Sequence, residues 1–442
     1  MTTTEERRAG PDVDPIDELT TWLEANWDAD LTVGEWWERL GLSGWSAPVL
    51  PDGGYGKGLT RRDALRVTRA ISRFGALGPP AGLGLNLAAP MISTHGTPEQ
   101  IERYVRCIVT GAEAWCQLFS EPGAGSDLAG LTTRAERDGD VWVINGQKVW
   151  TSGGQHADLG MLLARTNPDA PKHQGITWFA IDMHQPGIEL RPLRQMTGAS
   201  NFNEVFLTDA VVPDHARIGD VNNGWAVANT TLAYERAGMG AGGDGPAPGA
   251  FTQPGTVAGN LGRRVGDFVR KPSDDGDEGR PTRNAMPVDT YVELARRLGR
   301  NTDPVVRQGL VRLHTLRELA RMNTERHRAA VAAGRDIPGI ANFSKLLMAD
   351  IVRLTRDLGL QILGPRGTLH AYDDAGRAAL RELPGDPVAG AVTSQALGAQ
   401  AMPIFGGTDQ VQRNIIGERV LGLPKEPGDL STVPFSQLPK NR

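Results

Sequence analysis

The sequence predicts a multi-domain α+β protein, in which a helical N-terminal domain, a β-domain and a C-terminal helical bundle follow one another along the chain. Apolar residues recur at helical spacing up to residue 115, alternate in short runs from residue 116 to residue 221, and return to helical spacing after that. With 442 residues the chain is also too long for one ordinary hydrophobic core, so two or three domains or layers are expected.

The predicted N-terminal domain covers residues 1–115. In TWLEANWDADLTVGEWWERLGLSGW, aromatic and aliphatic residues recur at helical spacing, and we expect these tryptophans to pack in a core rather than form a site. The opening residues, MTTTEERRAGPDVDPIDELT, are charged and lack the apolar segment of a secretory signal. No export is implied, and together with the cysteine usage described below this predicts a cytoplasmic protein.

The predicted β-domain covers residues 116–221. Its short alternating runs, such as DVWVINGQKVWTS, LGMLLART, ITWFAIDM and NEVFLTDAVV, are separated by Gly, Asp, Asn and Pro. This pattern is typical of a mainly antiparallel sheet.

The predicted helical bundle covers residues 222–425 and is followed by a tail, 426–442. Long helical periodicities run through GWAVANTTLAYERAGM, DTYVELARRLG, DPVVRQGLVRLHTLRELARMNTERHRAAVAAG and ANFSKLLMADIVRLTRDLGLQIL. The stretch 240–282 is rich in Gly and Pro and carries the acidic SDDGDEG, so it cannot continue a helix. We expect a surface insertion there, with a functional lid or a partner-binding loop as the alternative.

The composition argues against several classes of protein. A net charge of -5 and an isoelectric point near 6.0 disfavour a protein that coats nucleic acid. Cys107 and Cys116 are too few for a disulfide framework and suit a reducing compartment. No apolar run is long enough for a membrane span. The eight histidines show no zinc-binding spacing, so no metal site is predicted.

The first motif with chemical content is QLFSEPGAGSD, residues 117–127, at the junction between helical domain and sheet. Gly123 and Gly125 allow close backbone approach, free N–H groups can surround a pyrophosphate, and Ser126 adds a hydroxyl donor. A loop of this kind can hold an anionic cofactor. Taken alone, a Gly-rich loop is more often an ordinary turn.

The second motif, GQKVWTSG, occupies residues 146–153 and presents a flat aromatic ring followed by hydroxyls. A flavin needs a planar neighbour against its rings and hydrogen-bond partners along its polar edge. Trp150 supplies the plane, and Ser120 and Ser152 supply the partners. The alternative is a tryptophan packed inside a barrel with its N–H satisfied.

Together with RQMTG, EVF, QILG and GGTDQVQRNIIGERVLGLP, these motifs closely resemble the acyl-CoA dehydrogenase family over nearly the whole chain. The resemblance implies an N-terminal helical domain, a middle β-barrel and a C-terminal four-helix bundle. It also implies FAD held between bundle and barrel, and partly by a neighbouring subunit.

The resemblance assigns cofactor contacts motif by motif. On the flavin and pyrophosphate side, the residues implied are Gln117, Phe119, Ser120, Gly125, Ser126, Trp150 and Ser152. Around the adenosine and pyrophosphate portions, several of them reaching a partner's FAD, the residues implied are Arg300, Thr302, Gln361, Gly364, Thr408 and Gln410. Pro365 departs from the usual second glycine, and Asp303-Pro304 from the usual Phe-Gly after the arginine motif.

The catalytic base is implied by one motif and by the loss of another. Medium-chain members carry a Glu immediately before the Gly-Thr of the C-terminal motif, where this chain has Gly406 and Gly407 ahead of Thr408. Isovaleryl-CoA dehydrogenase and its relatives carry the base in an L-x-x-E-R motif, which LAYER matches at Glu235. The resemblance thus implies Glu235 as base and the N–H of Gly406 as donor to the thioester carbonyl.

The resemblance implies α,β-desaturation of an acyl-CoA, with a branched or bulky acyl group by analogy with members that use this base. The implied partners are electron-transferring flavoprotein and further copies of the chain, in a homo-dimer or homo-tetramer. The alternatives are a flavin monooxygenase or oxidase on the same fold, and a non-catalytic subunit of a hetero-oligomer. A DNA-associated relative is disfavoured by the negative charge.

Overall fold

The computed structural model describes residues 14–240, 259–269, 286–382, 388–425, 430 and 432–438. The chain forms two compact units. The first contains the described parts of Met1–Trp115, His156–Leu159 and Thr252–Asp277, and the second those of Cys116–Gln155, Gly160–Phe251 and Glu278–Arg442. Every residue of the predicted site belongs to the second unit.

The first unit is helical, as predicted for the N-terminal region. Its helices are α1 (Pro15–Asn26), α2 (Val33–Leu42), α3 (Arg61–Phe74), α4 (Ala89–His95), α5 (Pro98–Gln100) and α6 (Arg106–Val109). π-Helical turns at Gly84–Ala88 and Ile101–Val105 lead into α4 and join α5 to α6. Trp36, Trp37 and Trp45 are buried, which confirms their predicted place in the core.

Residues 259–269 belong to this first unit, although the chain reaches them only after the β-domain. The N–H groups of Val33 and Gly34 in α2 donate to the carbonyls of Arg263 and Leu261, at 2.8 and 2.9 Å. Val265 is fully buried in the same core as the tryptophans. The sequence predicts a surface insertion over 240–282, whereas this part of it contributes to a core; residues 241–258 and 270–282 lie outside the described residues.

The second unit contains an eight-stranded sheet. Its strands are β1 (Trp115–Leu118), β2 (Arg134–Asp138), β3 (Val141–Ser152), β4 (Leu159–Arg165), β5 (Ile176–Asp182), β6 (Ile188–Leu193), β7 (Phe202–Pro213) and β8 (Arg217–Ile218), in the order β6-β7-β3-β2-β4-β5-β8 with β1 beside β4. β3 pairs antiparallel with β2 and β7, and β2 pairs parallel with β4. The predicted mainly antiparallel β-domain is confirmed. Inside this domain the rings of Trp142 and Phe179 pack with their centroids 5.5 Å apart.

The first four helices of the second unit follow the predicted periodicities, and the last three were not among them. The helices are α7 (Gly224–Gly240), α8 (Val288–Arg297), α9 (Pro304–Ala332), α10 (Ile340–Leu363), α11 (Asp374–Glu382), α12 (Ala389–Gly398) and α13 (Asp409–Ile415), the last continuing as a π-helical turn, Ile416–Val420. Apolar residues of α8, α9, α10 and α12 share one core. α7 packs on β5 and on α10, so it connects sheet and bundle. None of the helices in the described residues has the length and apolar character that crossing a membrane requires.

Candidate functional site

The segment from residue 119 to residue 131, which we call the cofactor loop, leaves β1 in a tight turn. The backbones of Glu121 and Ala124 exchange two hydrogen bonds of 3.0 and 3.1 Å. Gly123 within this turn and Gly125 and Ser126 beyond it are exposed, and a Cβ added to either glycine would meet no atom within 4 Å. The loop therefore presents unobstructed backbone, as a pyrophosphate-binding segment requires.

A buried ion pair fixes the start of the cofactor loop. Lys148, with none of its side chain exposed, donates to the Oε1 of Glu121 at 2.9 Å and to the carbonyl of Phe119 at 3.1 Å. Glu121 also accepts from the N–H groups of Thr132 and Thr133, at 2.7 and 2.9 Å. Burial alone raises the pKa of the Glu121 carboxyl, but the charge of Lys148 and these hydrogen bonds bring the pKa to about 2. Glu121 is therefore a carboxylate at neutral pH.

Two further cations fix the rest of the cofactor loop. The guanidinium of buried Arg165 donates to the carbonyls of Ala129 and Leu131 at 2.6 and 3.2 Å. Lys172 donates to the Oδ1 of Asp127 at 2.8 Å. The loop is thus held at its start, middle and end by side chains of the neighbouring strands and of the β4–β5 loop.

Trp150 lies in a bulge of β3 with unusual backbone geometry. The register with β7 shifts between Lys148 and Thr151, and Trp150 adopts a left-handed φ of 62° with 60% of the residue exposed. Such a φ is rare for a bulky residue and costs about 1–3 kcal/mol, so the surrounding structure must hold it. The bulge turns a large flat ring outwards, where a planar cofactor can contact it.

Hydrogen bonds on both sides of Trp150 hold the bulge. The N–H of Val149 donates to the carbonyl of Ser120 at 2.9 Å, which ties the bulge to the cofactor loop. On the other side, Asn203 of β7, only 1% exposed, donates from Nδ2 to the carbonyl of Thr151 at 3.2 Å. Asn203 did not emerge from the sequence, although it begins the predicted run NEVFLTDAVV and an Asn there is an available signal, because strands disfavour it.

Gln117 carries a polar group that the protein leaves unsatisfied. Its Nε2 is buried and has no hydrogen-bond partner among the described residues. Buried polar groups in native proteins almost always have partners, so this amide fits a ligand with an acceptor edge. Gln117 on β1, the open cofactor loop and the exposed Trp150 ring together fit the flavin that the sequence predicts.

Gly406 and Gly407 form a second turn, immediately before α13. Both have a left-handed φ, 63° and 83°. The Nε2 of Gln412 donates to the carbonyl of Gly406 at 3.0 Å, and Asn342 of α10 holds the Oε1 of Gln412 at 2.6 Å. Thr408 caps α13 by accepting from the N–H of Val411 at 3.2 Å. Because both carbonyls of the turn face Gln412, the path of its backbone is well defined.

A buried carboxylate ties α13 to α10 beside this turn. Asp409, 2% exposed, pairs with Lys345 at 2.9 Å and with Arg353, both on α10. Burial raises the pKa of Asp409, but the hydrogen bonds and charges of the two cations outweigh it and lower the pKa below its ordinary value. The sequence reasoning missed this group, because a buried ion pair between distant segments leaves no local pattern.

Glu235 is half-buried on α7. α7 and α13 both pack on α10, so the same helix supports the element that carries Glu235 and the element that follows Gly406.

The remaining predicted cofactor residues lie on exposed parts of the bundle. Arg300 pairs with Asp303 at 3.4 Å. Asp303, which departs from the family motif, thus offsets part of the positive charge that Arg300 would present to the cofactor. Gly364, with a φ of 57°, ends α10. The exposed residues of this group are Thr302, Gln361, Gly364 and Gln410.

Three family profiles match this chain, in the order of its predicted domains. The N-terminal domain of acyl-CoA dehydrogenases matches residues 17–112, the middle domain residues 116–210, and the C-terminal domain residues 286–421. Helices α2 to α6 lie within the first of these ranges, strands β2 to β6 within the second, and helices α8 to α13 within the third.

Curated relatives carry the same family name. Acyl-CoA dehydrogenase FadE34 of Mycobacterium tuberculosis is 37% identical over 385 residues, which cover 86% of this chain and 44% of FadE34. The chain therefore spans less than half the length of that relative. Acyl-CoA dehydrogenase IpdE1 of the same organism is 33% identical over 394 residues, which cover 88% of each protein.

Solved structures share the fold. The Tcur3481-Tcur3483 steroid ACAD has a TM-score of 0.65 and 26% sequence identity, covering 93% of this chain and 97% of that chain. The ChsE4-ChsE5 complex from Mycobacterium tuberculosis has a TM-score of 0.62 and 26% identity, covering 95% of this chain and 100% of that chain.

Proposed function

We propose that this chain, which belongs to the acyl-CoA dehydrogenase family of FAD-dependent oxidoreductases, desaturates the Cα–Cβ bond of an acyl-CoA with a bulky or branched acyl group. The observation that carries the proposal is the exposed, left-handed Trp150 beside the open cofactor loop and the unsatisfied amide of Gln117. When bound, FAD supplies the hydride acceptor, the N5 atom of its flavin.

The residues proposed to hold FAD divide by the chemistry that they offer. Trp150 offers a plane for the flavin rings, and Gln117 offers a buried N–H donor for their polar edge. The backbone of Gly125 and the hydroxyl of Ser126 offer donors for the pyrophosphate. Phe119, Ser120 and Ser152 complete this side, and the exposed bundle residues serve the adenosine portion, in part for a neighbouring subunit.

The proposed chemistry of the protein begins with proton removal. The carboxylate of Glu235 takes the α-proton, and the negative charge that remains spreads onto the thioester oxygen. The N–H of Gly406 donates to that oxygen and stabilises the charge as it develops. Gln412 supports this role by restraining the backbone of the turn. Its Nε2 donates to the carbonyls of Gly406 and Gly407 at 3.0 and 3.3 Å.

The size of the acyl group is inferred from Gly406 and from the relatives. A glycine where other family members have a Glu leaves space beside the turn. The steroid ACAD of similar fold supports a polycyclic acyl group as the first substrate to test. We also propose a cytoplasmic location, since Cys107 and Cys116 are both free thiols, and electron-transferring flavoprotein as the electron acceptor.

A panel of acyl-CoA thioesters tests this function. The purified protein is expected to be yellow, to release FAD on denaturation because no covalent link is proposed, and to bleach when a branched or polycyclic acyl-CoA is added without oxygen. A straight-chain acyl-CoA of similar carbon number serves as the matched control. A protein that binds FAD but is bleached by none of these thioesters would falsify the dehydrogenase assignment and favour an oxidase or monooxygenase.

The second prediction concerns assembly. Because several bundle residues are proposed to complete a neighbour's FAD site, the holoprotein is expected to be a homo-dimer or homo-tetramer. The similar solved structures pair two different chains, Tcur3481 with Tcur3483 and ChsE4 with ChsE5, which favours a hetero-oligomer as the second candidate. Light scattering of the purified protein, with FAD measured per chain, separates these cases. A monomer with full FAD occupancy would contradict both.

A further inference from the structure

The described C-terminal residues 432–438, which we call the clasp, lie on the β4–β5 loop. The N–H of Phe435 donates to the carbonyl of Ala170 at 2.9 Å, and the N–H of Ser436 donates to the carbonyl of Pro168 at 2.8 Å. Pro434 forms an antiparallel bridge with Pro171. The clasp is thus held on this loop chiefly by backbone hydrogen bonds.

The side chain of Phe435 covers a cation that the cofactor loop depends on. The Arg165 guanidinium lies over the Phe435 ring, 3.7 Å from its centroid. Arg165 is 4% exposed and is the residue that donates to the carbonyls of Ala129 and Leu131. A cation taken out of water gains more from an aromatic face than an exposed one does. Phe435 therefore helps to keep this guanidinium buried and oriented.

The loop under the clasp makes a second connection. Arg165 also donates to the carbonyl of Lys172 at 2.8 Å, and Lys172 in turn donates to Asp127 at 2.8 Å. Asp127 directly follows Ser126, one of the residues proposed to bind pyrophosphate. Two contact paths, through Arg165 and through Lys172, thus lead from the clasp to the cofactor loop.

We propose that Phe435 is a positioning residue for FAD binding, which acts through Arg165 to keep the cofactor loop in its binding conformation. The inference rests on the proposed placement of the FAD pyrophosphate at this loop. Phe435 itself contacts neither cofactor nor substrate in this proposal. A change at Phe435 is therefore expected to alter the affinity for FAD and to leave the KM for acyl-CoA at saturating FAD unchanged.

Two substitutions separate the aromatic face from apolar packing in the full-length protein. Phe435→Leu keeps an apolar side chain but removes the ring, and is expected to raise the Kd for FAD about tenfold, within the range that a desolvated cation–π contact supports. Phe435→Trp keeps a ring face and is expected to stay within about threefold of wild type. Ser436→Ala, which removes an exposed side-chain hydrogen bond to Asp169 in the same segment, is the control. The measurement is titration of apoprotein with FAD.

A double-mutant cycle tests whether the effect passes through Arg165. Arg165→Lys keeps the charge but loses the forked geometry that reaches Ala129 and Leu131, so it is expected to weaken FAD binding by itself. Phe435→Leu combined with Arg165→Lys should then cost little more than the larger single change. Additive losses would contradict the path through Arg165, and an unchanged Kd in Phe435→Leu would overturn the proposal. If wild-type protein binds no FAD, the proposed function fails instead.

Discussion

Replacing Glu235 by Gln is expected to slow reduction of the bound flavin by acyl-CoA about a hundredfold or more. The amide keeps the size and polarity of the side chain but cannot accept the α-proton, and loss of a positioned general base has this scale of effect. FAD content and acyl-CoA affinity should stay near wild type, because the change removes basicity and little else. Stopped-flow absorbance of the flavin under anaerobic conditions gives the rate directly.

Two further variants sharpen this test. Glu325→Gln changes an exposed Glu on α9 that pairs with Arg321 at 2.7 Å, and it should leave the rate unchanged. Gly406→Glu in the Glu235→Gln background places a carboxylate at the other family position, and should restore some turnover on unbranched thioesters if that carboxylate reaches the same carbon. Near-normal flavin reduction in Glu235→Gln would remove Glu235 from the mechanism.

Replacing Lys148 by Met is expected to lower the free energy of unfolding by about 3–5 kcal/mol, because it leaves the Glu121 carboxylate buried without its cation. Glu121 is 5% exposed at its side chain, so water cannot replace the lost partner. FAD binding should weaken as well, since Lys148 also holds the Phe119 carbonyl at the start of the cofactor loop. Denaturant titration of the apoprotein and FAD titration measure the two effects separately.

The control for this prediction removes both charges. Glu121→Gln combined with Lys148→Met leaves a neutral side chain whose single amide oxygen still accepts from the N–H of either Thr132 or Thr133, and should recover part of the lost stability. In wild type, the lowered pKa of Glu121 contributes stability above its ordinary value of 4.5, and that contribution disappears as the pH falls from there towards about 2. The double variant should lack this acid-dependent loss. An equal loss in both proteins would argue against Glu121 as its source.

The sequence predicted the elements well and the geometry of the site less well. Periodicity found the long helices and the strands because amphipathic patterns are local. It could not find the bulge at Trp150, since simple alternation puts Lys148 and Trp150 on one face of β3. In the structure Lys148 is fully buried and Trp150 is 60% exposed. One extra residue in the strand reverses the alternation, and that depends on the pairing with β7.

Contacts between distant segments were the second feature that the sequence could not predict. Asn203 and Arg165 donate to backbone carbonyls of the segments that carry the predicted flavin residues, and the Phe435 ring lies against Arg165. None of the three belongs to the motifs that indicated the cofactor. Their roles depend on which strands and loops meet in space. The motif residues themselves, in contrast, were found because a flavin imposes a recognisable order of glycines, hydroxyls and an aromatic ring. Their individual roles remain predictions.

The return of residues 259–269 to the first unit constrains how the protein folds during synthesis. Val265 completes a core whose other buried residues lie between Leu19 and Ala76. The ribosome makes the entire β-domain and α7 before it reaches Val265, so the earliest part of the chain waits with an incomplete core while the middle folds. Closing a contact across about two hundred intervening residues also carries a loop entropy that a contiguous domain avoids. We therefore expect nascent chains halted before residue 259 to expose their N-terminal tryptophans to proteases and chaperones, and chains halted well beyond residue 269 to protect them.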